Sequence, residues 1–168
     1  MDPISAIVGI VQLVIAIILA VAALYIGFSV LGKITKGIEE EKEIAKGNAA
    51  VGILVASVFI AIGIVVQSGV AGISRGISTA LKVDGGILSL TGMVIIILSI
   101  VQLLLGIVLA IIAIYLALNI LDKLTKGIEE FEELKKGNVA VALEMAGVII
   151  TVAIIIQSGV MGITNALI

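Results

Sequence analysis

Long apolar stretches separated by short charged segments make up almost the whole chain. Four of these stretches, at residues 4–31, 48–74, 85–119 and 138–168, are long enough to cross a bilayer, and only the last contains a charge, Glu144. A transmembrane helix needs about 20 mainly apolar residues, because each adds about 1.5 Å toward a hydrocarbon thickness of about 30 Å. The pattern therefore predicts an all-α integral membrane protein with four transmembrane helices.

The charged segments after the first and third stretches are amphipathic, with apolar residues at steps of three and four positions. A straight helix over residues 4–46 would run about 64 Å, about twice the hydrocarbon thickness, so the chain must bend. The acid-and-lysine face of each segment is most simply a solvated surface, with a charged docking surface as the alternative. We expect helix breaks at Gly37 and Gly127, left-handed helix ends at Gly47 and Gly137, and helix caps at Asn48 and Asn138.

The sequence contains a tandem duplication. Shifting the chain by 90 residues aligns residues 7–78 with residues 97–168 without a gap, and 34 of those 72 positions are identical. We therefore divide the chain into repeat 1, residues 1–84, and repeat 2, residues 85–168, joined by Asp84-Gly85-Gly86. Each repeat holds two spans, so both copies insert the same way up, and a pseudo-two-fold axis along the membrane normal is expected.

The lysines predict the orientation of the spans. Eight of them lie in the two amphipathic segments, whereas the opposite side has only Arg75 and Lys82. Since short cytoplasmic connections are rich in lysine and arginine, both segments should be cytoplasmic and both termini outside, in a multi-pass protein of the plasma membrane. The eight lysines are Lys33, Lys36, Lys42, Lys46, Lys123, Lys126, Lys135 and Lys136.

Composition restricts the possible chemistry. The chain is 61% hydrophobic and 13% charged and contains neither cysteine nor histidine, which excludes thiol chemistry and removes the commonest metal ligand and general base. We expect no enzyme activity, cofactor or metal, and, without a basic patch, no nucleic-acid partner. The lipid bilayer is the expected partner. The abundance of Ile, Val, Lys and Glu resembles thermophile usage.

A motif occurs once in each repeat. It consists of Glu40, Gly47 and Asn48 in repeat 1 and of Glu130, Gly137 and Asn138 in repeat 2, each followed twenty positions after the asparagine by a serine. This pattern resembles the YjfL-like small membrane proteins, a family of unknown function, in two tandem copies. The resemblance implies duplicated two-helix units and brings no established activity, although such proteins are associated with membrane stress.

Polar residues inside the spans are candidates for function, because each is costly in lipid. Helical rise places four glutamines at one depth, in the outer part of the bilayer, with two serines beside them. They are either interhelical hydrogen-bond glue or the lining of a narrow pore. The six residues are Gln12, Gln67, Ser68, Gln102, Gln157 and Ser158.

Glu144 has no counterpart in repeat 1, where Leu54 occupies the equivalent position. It lies about 9 Å past Asn138, shallow enough to reach the cytoplasmic interface or to pair with Lys123 or Lys126. Alternatively it is a proton or cation site. A duplicated four-helix chain with one acid in its last helix also resembles the proteolipid subunit of rotary ATPases, a minor alternative.

Two functional hypotheses follow from these residues. The first is an oligomeric channel or ion-translocating protein in which the glutamine layer and Glu144 contact the permeant species. The second is a structural or membrane-stress scaffold whose cytoplasmic segments bind protein partners. Small residues at steps of four, such as Ser68, Gly72 and Gly76, favour close helix packing and a homo-oligomer.

Overall fold

The computed structural model describes residues 3–35, 37–125 and 127–167, which form helices and connections without a strand. Four long helices contain spans apolar enough to cross a membrane, at Gly9–Ser29, Ala49–Ala80, Leu90–Leu121 and Val139–Ile163. The predicted all-α membrane architecture is confirmed. The helices are α1 (Pro3–Ile34), α2 (Glu40–Ala45), α3 (Ala49–Ala80), α4 (Leu90–Leu124), α5 (Glu130–Lys135) and α6 (Val139–Leu167), with a short 3₁₀ turn at Gly86–Leu88.

Left-handed glycines produce the predicted bends. Gly37 and Gly127 follow the ends of α1 and α4 with φ of 82° and 94°, a conformation that other residues rarely adopt. Gly47 and Gly137, both at φ 83°, then end the short helices α2 and α5. The long amphipathic segments therefore fold back instead of projecting, and α2 packs on α3 as α5 packs on α6.

The predicted ends of the inner spans need correction. α3 continues to Ala80, past Arg75, and α4 begins only at Leu90. Ser89 caps α4 by accepting a hydrogen bond from the Gly92 amide at 3.0 Å, and both Gly85 and Gly86 have positive φ. An apolar run marks the part of a helix that lies in lipid, whereas caps and turns decide where the helix ends.

The helix α3 is the centre of the fold, since it packs against α1, α4 and α6. The interior between these helices is aliphatic: Val51, Val58 and Ala61 of α3 and Ile149 and Ala153 of α6 are all buried in one cluster. Burial of such small side chains allows the backbones to approach closely.

Packing departs from the expected two-fold symmetry. The helix α4 packs along both α3 and α6, whereas its counterpart α1 packs along α3 and touches α4. Within the described residues, α1 has no comparable packing against α6. The surface of α6 that corresponds to the α4-covered surface of α3 is therefore left uncovered by this chain.

Candidate functional site

A threonine and a glutamate meet in the turn of each charged segment, which we call elbow 1 (residues 35–48) and elbow 2 (residues 125–138). The Thr35 hydroxyl donates a hydrogen bond to Glu40, and the Thr125 hydroxyl donates one to Glu130. Only 8% of Glu40 and 1% of Glu130 is exposed. Each elbow therefore encloses a carboxyl group with a hydroxyl donor beside it.

Local structure explains this arrangement. Thr35 follows the last residue of α1 and Glu40 is the first residue of α2, so the left-handed Gly37 folds one onto the other. The glutamate also lies against α1, because a Cβ placed on Gly32 would be 3.7 Å from the Glu40 carboxylate oxygen. A polar group buried in this way is stabilised by its hydrogen bond.

These glutamates correct the expectation that the acid-and-lysine face is a solvated surface throughout. Glu40 and Glu130 are buried, whereas Glu39 and Glu129 beside them are exposed. The family motif contains Glu40 and Glu130 but not their threonine partners. A threonine five residues before the glutamate in both repeats was the available signal.

A second polar cluster lies at the end of elbow 1, around Asn48. The Asn48 side chain accepts a hydrogen bond from the Val51 amide at 3.2 Å, as the predicted cap, and donates to Glu43 at 3.1 Å. The Lys46 ammonium lies 2.7 Å from the same carboxylate. Hydrogen bonds from Lys46 and Asn48 hold the pKa of Glu43 below its usual value.

Elbow 2 repeats this cluster. Asn138 accepts from the Ala140 amide at 3.1 Å and donates to Glu133 at 2.8 Å, which confirms its predicted capping role. Hydrogen bonds from Asn138 and Lys136 lower the pKa of Glu133, and the bond to Glu133 raises the pKa of Lys136. The motif asparagines therefore join each short helix to the span that follows it.

Only Asn48 also reaches across to the other repeat in the described part of the chain. Its side-chain amide donates to the Leu134 carbonyl at 2.9 Å and to the Lys135 carbonyl at 3.3 Å. The bonds described for Asn138 lie within its own repeat. Elbow 2 is thus fixed on the beginning of α3.

The glutamines occupy different surroundings. Gln12 of α1 accepts a hydrogen bond from Ser74 of α3 at 2.9 Å. Gln102 of α4 is buried and donates to the Val160 carbonyl of α6 at 3.0 Å. Gln67 is exposed on α3 and Gln157 is half-buried. Among the hydrogen bonds described, none joins two glutamines, and the pore lining stays a prediction.

The two predicted serines bond to their own helices. Ser68 is buried and donates to the Val65 carbonyl at 2.8 Å, whereas Ser158 is exposed and donates to the Ile154 carbonyl at 3.1 Å. Serine hydroxyls in transmembrane helices commonly use this bond to the preceding turn. The same residue type therefore lies inside the bundle in repeat 1 and on its surface in repeat 2.

Glu144 is exposed on α6 and takes part in no ion pair within the described part of the chain. Lys126, one of its expected partners, lies outside the described residues. Thr151 and Ser158 follow Glu144 at steps of seven residues and are also exposed, so the three lie on one side of the helix. We call these three residues the α6 polar stripe.

Comparisons with known proteins complete the description. No curated protein and no solved structure matches the chain. A family model described as Domain of Unknown Function (DUF350) matches twice, at residues 5–107 and 96–168. The narrower resemblance to YjfL-like proteins stays a prediction. Since the first match alone covers more than half of the sequence, the chain belongs to the DUF350 family.

Proposed function

We propose that this protein is a structural membrane protein that assembles with copies of itself and presents its two elbows to soluble partners. One observation carries the proposal: the buried intramembrane glutamine, Gln102, is hydrogen-bonded to the neighbouring helix of its own repeat, as is the half-buried Gln12. Both amides thus hold helices together instead of facing a common passage. This is the expected use of amide side chains as interhelical glue.

The interior of the bundle supports the same function. Residues between α3 and α6 are aliphatic and closely packed, as Val51, Ala61 and Ile149 illustrate. The buried serine hydroxyls described there, those of Ser57 and Ser68, bond to carbonyls of their own helix, and an uncompensated charge in such surroundings is strongly unfavourable. Any passage would have to run between copies and not through one chain.

The elbows are the surface offered to partners. The elbows contain 14 of the 22 charged residues of the chain, and Glu39, Glu41 and Lys42 of elbow 1 are among those that are exposed. A cleft of about 360 Å³ lies between these residues and the end of α1. In each elbow the bond from a threonine to a buried glutamate supports the backbone that presents the exposed charges.

Ion translocation is the second candidate. The α6 polar stripe favours it, because Glu144, Thr151 and Ser158 place polar groups on an exposed membrane-spanning surface, and such groups commonly mark ion or proton pathways. In this function the stripe of each copy would line a path between copies, with Glu144 near its cytoplasmic end. The rotary proteolipid alternative would use the same acid as a proton carrier.

Reconstitution separates the two candidates. The purified protein is placed in liposomes, its assembly is verified by native mass spectrometry, and proton, K⁺ and Na⁺ fluxes are measured over a range of pH and membrane potential. The structural function predicts flux no greater than that of empty liposomes. Flux that disappears in Glu144→Gln, but not in the exposed elbow control Glu129→Gln, would establish the second candidate and overturn the first.

A further inference from the structure

The duplication leaves two matching surfaces uncovered, one on α6 and one on α1. In the chain, α4 covers one side of α3, where Gly69 contacts Leu103 so closely that a Cβ on the glycine would collide with the leucine. The equivalent residues are Gly159 on α6 and Leu13 on α1. Leu103 is 1% exposed, but Leu13 is 60% exposed.

The same contrast continues along the second helix of each repeat. Val65 of α3 is 1% exposed, whereas its equivalent Ile155 of α6 is 64% exposed. Gly69 and Gly72 are buried, whereas Gly159 and Gly162 are exposed. These two glycines are identical in both repeats, so the uncovered surface of α6 keeps the small residues against which a helix packs in repeat 1.

The elbows also differ in burial, with the short helix of repeat 2 covered and that of repeat 1 exposed. Leu134 of α5 is completely buried and its carbonyl accepts a bond from Asn48 on α3. Its equivalent Ile44 of α2 is 44% exposed, and the bonds described for Asn138 stay within its own repeat. The position on α6 that would receive a short helix is therefore not filled by the elbow of this chain.

The α1 of the same chain is held away from this position. The Gln12–Ser74 hydrogen bond, the contact of Gly27 with Ile62 and the Phe28–Phe59 ring pair at 5.9 Å attach α1 to α3 along its length. Within the described residues, α1 has no comparable packing against the α6 of its own chain. The α1 of a second copy can keep these contacts with its own α3 and also pack on α6, as α4 packs on α6 and α3 together.

We propose that α1 of a second copy packs on the uncovered side of α6, in the manner in which α4 packs on α3 within one chain. Leu13 of one copy then contacts Gly159 of the next, and Ile44 lies near Asn138. The polar groups Glu144 and Thr151 on this side of α6 also become covered by protein instead of lipid, which lowers the cost of placing them in the membrane. Because each copy offers both surfaces, the contact is head-to-tail and can continue to a third copy.

This inference rests on the self-assembly in the proposed function and not on whether the assembly conducts ions. Native mass spectrometry therefore accompanies the test. A protein that is monomeric in membranes would overturn both proposals, whereas an oligomer that forms through other surfaces would overturn only this contact.

The absence of cysteine from the chain makes the test direct. Two differently tagged chains, one with Leu13→Cys and the other with Gly159→Cys, are coexpressed and oxidised in membranes. We expect a disulfide-linked pair that contains both tags. Val14→Cys replaces Leu13→Cys in the control, because Val14 and its equivalent Leu104 are both exposed, and this pair should stay unlinked.

A single chain with Gly69→Cys and Leu103→Cys shows that the equivalent internal contact is oxidised under the same conditions. The chain with both Leu13→Cys and Gly159→Cys should then give linked dimers and larger species. A disulfide confined within one chain would overturn the proposal, since α1 would then cover its own α6. Absence of any mixed pair, when the internal control is oxidised, would overturn it as well.

Discussion

Repeat 1 and repeat 2 have closely similar elbows but place their second helices in different surroundings. In both elbows a threonine bonds a buried glutamate and an asparagine caps the next span. By contrast, α3 is covered by three helices, whereas one side of α6 is exposed. Local hydrogen bonding is thus reproduced by the duplication, and helix packing depends on which neighbours the chain can supply.

The largest expected effect on stability comes from a substitution on the covered helix α3, compared with the equivalent substitution on the exposed side of α6. Gly69→Val places a branched side chain against Leu103, and overpacking of this kind costs about 1–3 kcal/mol. Gly159→Val has open space around it in the single chain and should leave the melting temperature of the monomer in detergent unchanged. Equal melting temperatures of the two variants would contradict the difference in packing between α3 and α6.

Gly159→Val also separates folding from assembly. In membranes, where copies meet, we expect this variant to remain folded and to lose self-association, because the new side chain occupies the position proposed for Leu13. Native mass spectrometry after mild extraction measures the effect. Normal oligomers of Gly159→Val would contradict the proposed contact.

The elbow threonines are expected to have the next largest effect. Thr125→Val keeps the shape of the side chain but removes the hydroxyl beside the buried Glu130, and loss of a partner from a buried polar group costs about 1–3 kcal/mol. Thr35→Val should cost a similar amount, because Thr35 is completely buried and Glu40 is only 8% exposed. Thermal unfolding in detergent measures both, with the exposed Thr91→Val as the control. Equal stability of Thr125→Val and the natural protein would show that the pair does not fix the elbow.

Glutamine variants compare polar groups that bond between helices with one that is exposed. Gln102→Leu removes the bond to the Val160 carbonyl and Gln12→Leu removes the bond from Ser74, and interhelical bonds of this type contribute about 0.6–2 kcal/mol. Gln67→Leu, exposed on α3, should not destabilise the chain. Thermal unfolding in detergent measures the stability of the three variants. A larger loss of stability in Gln67→Leu than in Gln102→Leu would contradict the structural use of the glutamines.

The smallest expected effect is on the pH dependence of stability and concerns the half-buried carboxylate of Glu133. Since the folded pKa of Glu133 is lowered, its contribution to stability is complete above the usual glutamate pKa and is lost as pH falls through the lowered pKa. Lys136 has a raised pKa, so its contribution is lost only as pH rises through that value. Amide hydrogen exchange in elbow 2, as a function of pH, should show this acid-side loss, and Glu133→Gln should remove it. An identical acid response in Glu133→Gln would assign the effect to other groups.

The sequence was sufficient to predict the four spans, the left-handed glycines and the asparagine caps, because each depends on a periodicity or on residues a few positions apart. It did not predict the burial of Glu40 and Glu130, because the threonine five residues before each glutamate becomes its partner only when the left-handed glycine between them folds the turn. Nor could it predict that α1 leaves α6 uncovered. Two nearly equivalent helices compete for similar surfaces, and the outcome depends on contacts far apart in the chain.

The most direct test of the account is the structure of the assembled protein in lipid nanodiscs. It should show α1 of one copy packed on α6 of another, with Leu13 against Gly159, and Gln12 and Gln102 bonded to neighbouring helices of their own repeats. A water-filled passage between copies, lined by Glu144, Thr151 and Ser158, would contradict both the proposed contact and the structural function.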